Sequence, residues 1–125
     1  MKNYNFKDNK VLVSGHRGES CFGLENTMFS FKRALSLGVD MIETDVHLTL
    51  DNHLVLIHDD TVNRTTNSEG RVQNMTLNEL RALNAGDSAS YEKIPTLREL
   101  FELIKDTDIT VNIEIKEYYS KENKQ

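Results

Sequence analysis

Hydrophobic positions along the chain fall into short runs of two kinds, some continuous and some spaced at helical intervals, separated by polar turns. Lys10–Ser14 (KVLVS) is a brief apolar run closed by Gly15-His16-Arg17-Gly18. A run of this kind bounded by glycines predicts a buried strand that ends in a tight loop, with His16 and Arg17 at its carboxyl end. From Asn26 to Leu37, Met28, Phe29, Phe31, Ala34 and Leu35 have helical spacing, with Asn26 or Thr27 as N-cap and Gly38 as C-cap. The apolar face of this helix is expected in the core. Val39–Val46 then predicts a second strand, and a strand, helix, strand succession of this length is a βαβ unit with a right-handed crossover.

Beyond it, His47–Leu50 and Leu54–His58 flank Asp51-Asn52-His53, the pattern of a hairpin turn added to the βα repeat. Thr61–Gln73 is polar and irregular. Thr76-Leu-Asn-Glu79 and Thr96-Leu-Arg-Glu99 are both Thr-x-x-Glu capping boxes, each predicting a short helix. Leu97, Leu100, Phe101 and Ile104 mark the buried face of the second, and Pro95, the sole proline, precedes its cap. Val111–Lys116 (VNIEIK) predicts the third strand of the series. The polar tail Ser120–Gln125 has no pattern that would dock it.

Composition narrows the class. A chain of 125 residues, 38% hydrophobic, accommodates one domain with one core. A net charge of −5 and the lack of any basic cluster longer than a residue pair argue against nucleic acid or an anionic membrane as partner. A single cysteine, Cys21, permits no internal disulfide and reads as an incidental loop thiol. MKNYNFKDNK lacks the apolar run of a signal peptide, and no later run approaches the ~18 residues of a spanning helix. A cytoplasmic protein without stable membrane insertion is the expectation.

The chemistry concentrates in Met41–Asp60 (MIETDVHLTLDNHLVLIHDD). Strand side chains alternate, so Glu43 and Asp45 share one face and Ile42 and Thr44 the other. Two carboxylates at ~4 Å repel by about 4 kcal/mol at an effective dielectric of ~20, a cost that a cation between them removes. The alternative is a solvated strand edge whose acids face water. Glu114 and Lys116 repeat the i, i+2 spacing, either as a second arm of the same site or as a same-face ion pair. Polar residues at the carboxyl ends of parallel strands form the active face of α/β enzymes. The site so assembled holds Glu43, Asp45 and Glu114 as hard oxygen ligands, His16 and His58 as titratable groups, and Arg17 and Lys116 as fixed positive charges. Hard oxygens favour Mg²⁺ or Ca²⁺ over zinc, and paired cations favour a phosphate-like substrate. His47 and His53 read as surface residues of the hairpin, Glu25 and Asn26 as a helix start, and Arg64 as an anchor of the irregular loop.

Taken in order, His16-Arg17-Gly18, Leu24-Glu25-Asn26-Thr27, Ile42-Glu43-Thr44-Asp45-Val46, His58-Asp59, Arg64-Thr65-Thr66 and Asn112-Ile113-Glu114-Ile115-Lys116 resemble the glycerophosphodiester phosphodiesterases. The resemblance runs from about Val11 to Lys116, and the ordered set of motifs is far more specific than any one of them. It implies a (β/α)8 barrel of the TIM type with a small insertion after the second strand, a place occupied here by Val46–Ser90. Residues 1–125 would then be a single partial domain comprising the first three βα units, because such barrels run to ~250 residues. The resemblance also implies that Glu43, Asp45 and Glu114 bind the divalent metal, that His16 and His58 act as general base and acid, and that Arg17 and Lys116 contact the phosphate. Leu24 stands where the family usually has proline, a departure that touches only the start of the helix.

The implied substrate is a small-molecule glycerophosphodiester, cleaved to glycerol 3-phosphate and an alcohol. Its hydroxyl lies next to the phosphate, so one histidine of ordinary pKa ~6.5 can deprotonate it while a second protonates the leaving alcohol. Attack by that hydroxyl would give a cyclic intermediate and attack by water direct hydrolysis, and the sequence is compatible with both. Two other readings stand beside this one. A truncated, catalytically silent chain would bind a cation or a partner through unpaired strand edges, and would be weakly stable and prone to association. A related barrel phospholipase of the sphingomyelinase D kind would share most of the site.

Overall fold

The computed structural model describes residues 11–21 and 24–116. The amino-terminal decapeptide and the polar tail singled out above lie outside the described residues. The elements are β1 (Ser14–His16), α1 (Met28–Ser36), β2 (Met41–Leu48), β3 (Leu54–Leu56), a 3-10 turn (Val72–Asn74), α2 (Leu77–Arg81), α3 (Leu97–Ile104) and β4 (Thr110–Ile115).

β2 is the centre of a four-stranded mixed sheet. β1 pairs with it in parallel from Ser14↔Met41 to His16↔Glu43, and β4 in parallel from Met41↔Thr110 to Val46↔Ile115. β3 runs antiparallel, from Val46↔Leu56 to Leu48↔Leu54. A strand has two edges, and Val46 meets Ile115 on one and Leu56 on the other. β3 therefore continues the edge that β1 occupies earlier in β2. Among the described residues the outer edges of β1 and β4 carry no partner strand. Val11, Val13 and Ile115 beside them are 85%, 55% and 76% exposed.

Two expectations shift for the same physical reason, that a strand exists where it has a neighbour. The expected strand Lys10–Ser14 is displaced to Ser14–His16. β2 begins at Met41, where the Val13 carbonyl already accepts from the Asp40 and Met41 amides, so among the described residues Val11 and Leu12 have no strand opposite to pair with. Conversely, the expected second strand and the first arm of the hairpin are one element. β2 pairs with β4 as far as Val46 and with β3 from Val46 onward, so pairing never lapses at residue 47.

α1 starts where Thr27 caps it. The Thr27 hydroxyl accepts from Ser30 N, and Ser30 Oγ accepts from Thr27 N in return. It ends at Leu37, followed by Gly38 at φ +75°, a left-handed position that glycine adopts without a Cβ penalty. Gly18, at φ +81°, is needed for close approach as well, because a Cβ there would lie 2.5 Å from Ser30 Oγ. Only glycine lets the His16-Arg17-Gly18 loop lie against the first turn of α1. The Thr76 and Thr96 hydroxyls accept from Glu79 N and Glu99 N, and Glu99 completes the box by accepting from Thr96 N.

The core has two clusters. Phe31, Ala34, Ile42, Val46, Leu56, Leu100 and Ile104 join the sheet to α1 and α3. Val55, Ile57, Val62, Val72, Leu80 and Ile94 underlie the loop-rich stretch between β3 and α3. Phe101, expected on the buried face of α3, is exposed. Leu100, fully buried, and Ile104 mark the line that meets the sheet, and Phe101 stands at the far margin of the apolar face, about 100° around the helix from Leu100.

Candidate active site

Strand register builds the centre of the site. Glu43 and Asp45 project from one face of β2 while Ile42 and Thr44, both fully buried, fill the other. The register places His16 beside Glu43 and Glu114 beside Asp45. Carboxylate oxygens of Glu43, Asp45 and Glu114 consequently lie within 4.8 Å of one another. Burial falls steeply across the cluster, with Asp45, Glu43 and Glu114 side chains 1%, 14% and 58% exposed.

The electrostatics follow. Burial and the neighbouring Asp45 charge push the Glu43 carboxyl above its ordinary pKa, even though Glu43 Oε2 accepts from Arg17 N at 3.1 Å. Asp45 Oδ2 accepts from Asn26 Nδ2 at 3.1 Å and lies 3.7 Å from Arg17 Nε. Asp45 Oδ1 is buried with no hydrogen-bond partner, and Lys116 Nζ approaches it only to 3.7 Å. A desolvated carboxylate oxygen without a donor, flanked by two further carboxylates, is costly as it stands and suits a hard divalent cation. Lys116 also contacts Glu114 at 2.8 Å, a hydrogen bond that lowers the Glu114 pKa and raises that of Lys116. The ion pair left open by the sequence thus exists, and Glu114 belongs to the acidic cluster as well.

His16 Nε2 lies 3.6 Å from Glu43 Oε2 and its side chain is largely exposed. His58 stands two residues past β3, with Nδ1 2.8 Å from Asp59 Oδ1. Arg64 grips Asp59 with both Nε, at 2.9 Å, and Nη2, at 3.0 Å, and these bonds hold the Asp59 pKa down to about 2. Arg64 Nη2 also donates to Glu25 Oε1, while Glu25 Oε2 accepts from Arg17 Nη1 at 2.5 Å. Burial works against the Glu25 charge, but the bonds from Arg17 and Arg64 outweigh it and lower its pKa.

Two of these groups do more than local sequence predicts. Asn26 is more than a helix start. It is buried at φ +53°, donates to Asp45 and accepts from Thr44 Oγ1 at 2.8 Å, and so fixes the carboxylate that most needs fixing. The capping pattern masked this role, since asparagine before threonine reads as a cap. His47 is a correction: it is 2% exposed, and its Nε2 lies 2.9 Å from the His58 carbonyl. Because β2 runs on to Leu48, His47 shares the Asp45 face and packs beneath the chain at His58, where desolvation lowers its pKa. His53 is exposed at the hairpin turn and Cys21 is an exposed free thiol, both as expected.

Known proteins resemble the chain in sequence and in fold. Residues 16–125 match the Glycerophosphoryl diester phosphodiesterase family. A glycerophosphodiester phosphodiesterase of Caldanaerobacter subterraneus subsp. tengcongensis is 57% identical over 111 residues, covering 86% of this chain and 46% of that protein. Among solved structures, a glycerophosphodiester phosphodiesterase from Agrobacterium tumefaciens superposes with a TM-score of 0.81 at 36% identity, over 86% of this chain and 48% of that one. An Oleispira antarctica phosphodiesterase in complex with the product sn-glycerol-3-phosphate superposes at 0.80, also at 36% identity, over 88% and 46%. The chain spans about half the length of the relatives it matches. Those neighbours are (β/α)8 barrels, and the open mixed sheet with its helices is consistent with part of one. No helix among the described residues is long and apolar enough to cross a membrane. On the family match and the identity to its relatives, the chain belongs to the glycerophosphoryl diester phosphodiesterase family.

Proposed function

We propose that the protein hydrolyses glycerophosphodiesters to glycerol 3-phosphate and an alcohol in a reaction that depends on a divalent cation. The observation that carries this reading is the partnerless, buried Asp45 Oδ1 between Glu43 and Glu114, with a guanidinium and an ammonium group beside it. Glu43, Asp45 and Glu114 would hold Mg²⁺ or Ca²⁺, which supplies Lewis-acid stabilisation of charge developing on the phosphoryl oxygens. Arg17 and Lys116 bind the phosphate and add fixed positive charge where that charge grows. His16 and His58 share the proton transfers as general base and acid. With Nδ1 held by Asp59, His58 keeps Nε2 as its working nitrogen. Residues 46–90 form the insertion after the second barrel strand, and their contribution is to deliver His58 to the strand ends.

The relative bound to sn-glycerol-3-phosphate supports a substrate of this class. The test is turnover of glycerophosphocholine by the intact protein before and after chelation, followed by readdition of Mg²⁺ or Ca²⁺. Loss on chelation and recovery with one of the two ions is expected. Turnover that survives complete metal removal would overturn the cation dependence. The outer edges of β1 and β4, unpartnered among the described residues, favour a second reading, a chain that binds the cation and associates without turnover. Cation binding with no hydrolysis of any glycerophosphodiester would select it.

A further inference from the structure

We infer that Arg64 is a positioning residue that ties His58 to Arg17, through the Asp59 carboxylate on one side and the Glu25 carboxylate on the other. The inference rests on the roles proposed above for His58 and Arg17. Five side chains form one continuous series of hydrogen bonds: His58 Nδ1 to Asp59 Oδ1, Asp59 to the Arg64 fork, Arg64 Nη2 to Glu25 Oε1, and Glu25 Oε2 to Arg17 Nη1. The series joins the loop after β1 to the chain just past β3. Each arm ends on a group aimed at the reaction, and Arg64 itself touches neither.

The simpler reading, that Arg64 anchors its loop, meets an obstacle in how that loop is held. Val62 N donates to Gly70 O at 2.9 Å, Gly70 N to Asn63 Oδ1 at 2.9 Å, and Thr66 Oγ1 to Val62 O at 2.7 Å, while Val62 itself is fully buried. The loop closes on its own bonds without Arg64. What needs Arg64 is the pair of carboxylates. Glu25 is largely buried between two guanidinium groups, and each of its oxygens serves a different one. Without Arg64, Glu25 would have Arg17 alone to neutralise it and would draw that side chain toward itself. Asp59 would keep only His58 and lose the fork that sets its plane. Holding two carboxylates in fixed planes requires a planar group with several donors, which lysine cannot supply.

The test separates the two arms in the intact protein. Arg64→Gln is expected to lower kcat for glycerophosphocholine by about 10- to 100-fold, the range for residues that orient a reacting group. It should also weaken binding of glycerol 3-phosphate by about fivefold, the size of one displaced hydrogen bond. In an Asp59→Asn background the kcat effect should vanish, and in a Glu25→Gln background the binding effect should vanish. Arg64→Lys, which keeps the charge without the fork, should behave like Arg64→Gln and carries the test if Arg64→Gln does not fold by thermal unfolding. A loop anchor would produce no such split. Wild-type kcat and affinity in a folded Arg64 variant, or losses undiminished in both backgrounds, would overturn the inference. His58→Ala and Arg17→Ala run alongside: wild-type turnover in both would instead sink the roles proposed for them.

Discussion

The two hydrophobic clusters are built by different means, and the site draws on both. The first joins sheet and helix in layers, with every member on a regular element. The second lies under a stretch whose regular structure amounts to a 3-10 turn and a five-residue helix. β3 divides them, since Val55 belongs to the second cluster and Leu56 to the first, as alternation along a strand requires. The loop-rich stretch is held by individual bonds instead of a ladder, as where Asn67 N donates to the Asn84 carbonyl and Asn84 N donates to the Asn67 side-chain Oδ1. The carboxylates stand on the layered half, while His58, Asp59 and Arg64 come from the other. A layered scaffold fixes where charges sit relative to one another, and a loop on its own core carries the group that must reach across to them.

Removing a charge from the layered half should have the largest effect. Glu43→Gln keeps the shape of the side chain and loses its charge, so affinity for Mg²⁺ and Ca²⁺ should fall by more than the ~100-fold that marks the upper end for outer-shell changes, and activity with it. The same change relieves repulsion with Asp45, so the cation-free variant should unfold at a slightly higher temperature than the wild type. Glu25→Gln should be milder on metal affinity. Unchanged cation titrations of Glu43→Gln would remove Glu43 from the ligand set. Next in size, His16→Ala and His58→Ala should each lower kcat by about 10²–10⁴-fold. The double variant should lose less than the product, because groups acting as a unit are not additive. A product-sized loss would mean that the two histidines act independently.

Core substitutions sharpen the same comparison. Phe31 is fully buried at the junction of α1 with the sheet, and Phe31→Ala should cost about 3–5 kcal/mol, a large share of the ~5–15 kcal/mol that holds an ordinary domain folded. Leu80, equally buried in the second cluster, should cost about 2–5 kcal/mol as alanine. The consequence should differ in extent. Hydrogen exchange in Leu80→Ala should quicken between β3 and α3 while amides paired between β2 and β4 stay protected. Equal loss of protection in both places would show that the two clusters unfold as one.

The layered half was the legible half. Period-two alternation read Glu43 and Asp45 onto one face, helical spacing read Phe31 and Ala34 into the core, and the Thr27, Thr76 and Thr96 caps declared their helices. Register was not legible, because pairing partners lie far apart in the chain. That is why the first strand lies about three residues beyond its expected place and why His47, on a strand that runs two residues further than expected, is buried where local pattern predicts a surface residue. The loop half has no period to read. Asp59, Arg64 and Glu25 act through hydrogen bonds that span up to 39 positions, and nothing in local composition marks an arginine that holds two carboxylates rather than none.

The smallest expected effect is a pH dependence of the carboxylates that Arg64 holds, Asp59 and Glu25. The Arg64 bonds lower the Asp59 pKa from an ordinary 3.8 to about 2, and His58 adds to the same shift. A carboxyl with a depressed folded-state pKa contributes stability that is complete above its unfolded value and is lost as pH falls through the folded one. For Asp59 the window therefore opens near 3.8 and closes near 2. Glu25, also lowered, acts with the same sign and begins from 4.5. Arg64 stays positive throughout, so the pairs weaken only as the carboxylates take up protons. The Asp59 side chain is partly open to solvent, which keeps the contribution small and makes it sensitive to salt. Urea midpoints measured across that window should fall more steeply with acid in the wild type than in Asp59→Asn, and added salt should narrow the gap. Parallel slopes for the two proteins would mean that the Asp59–Arg64 pair orders the loop without stabilising it.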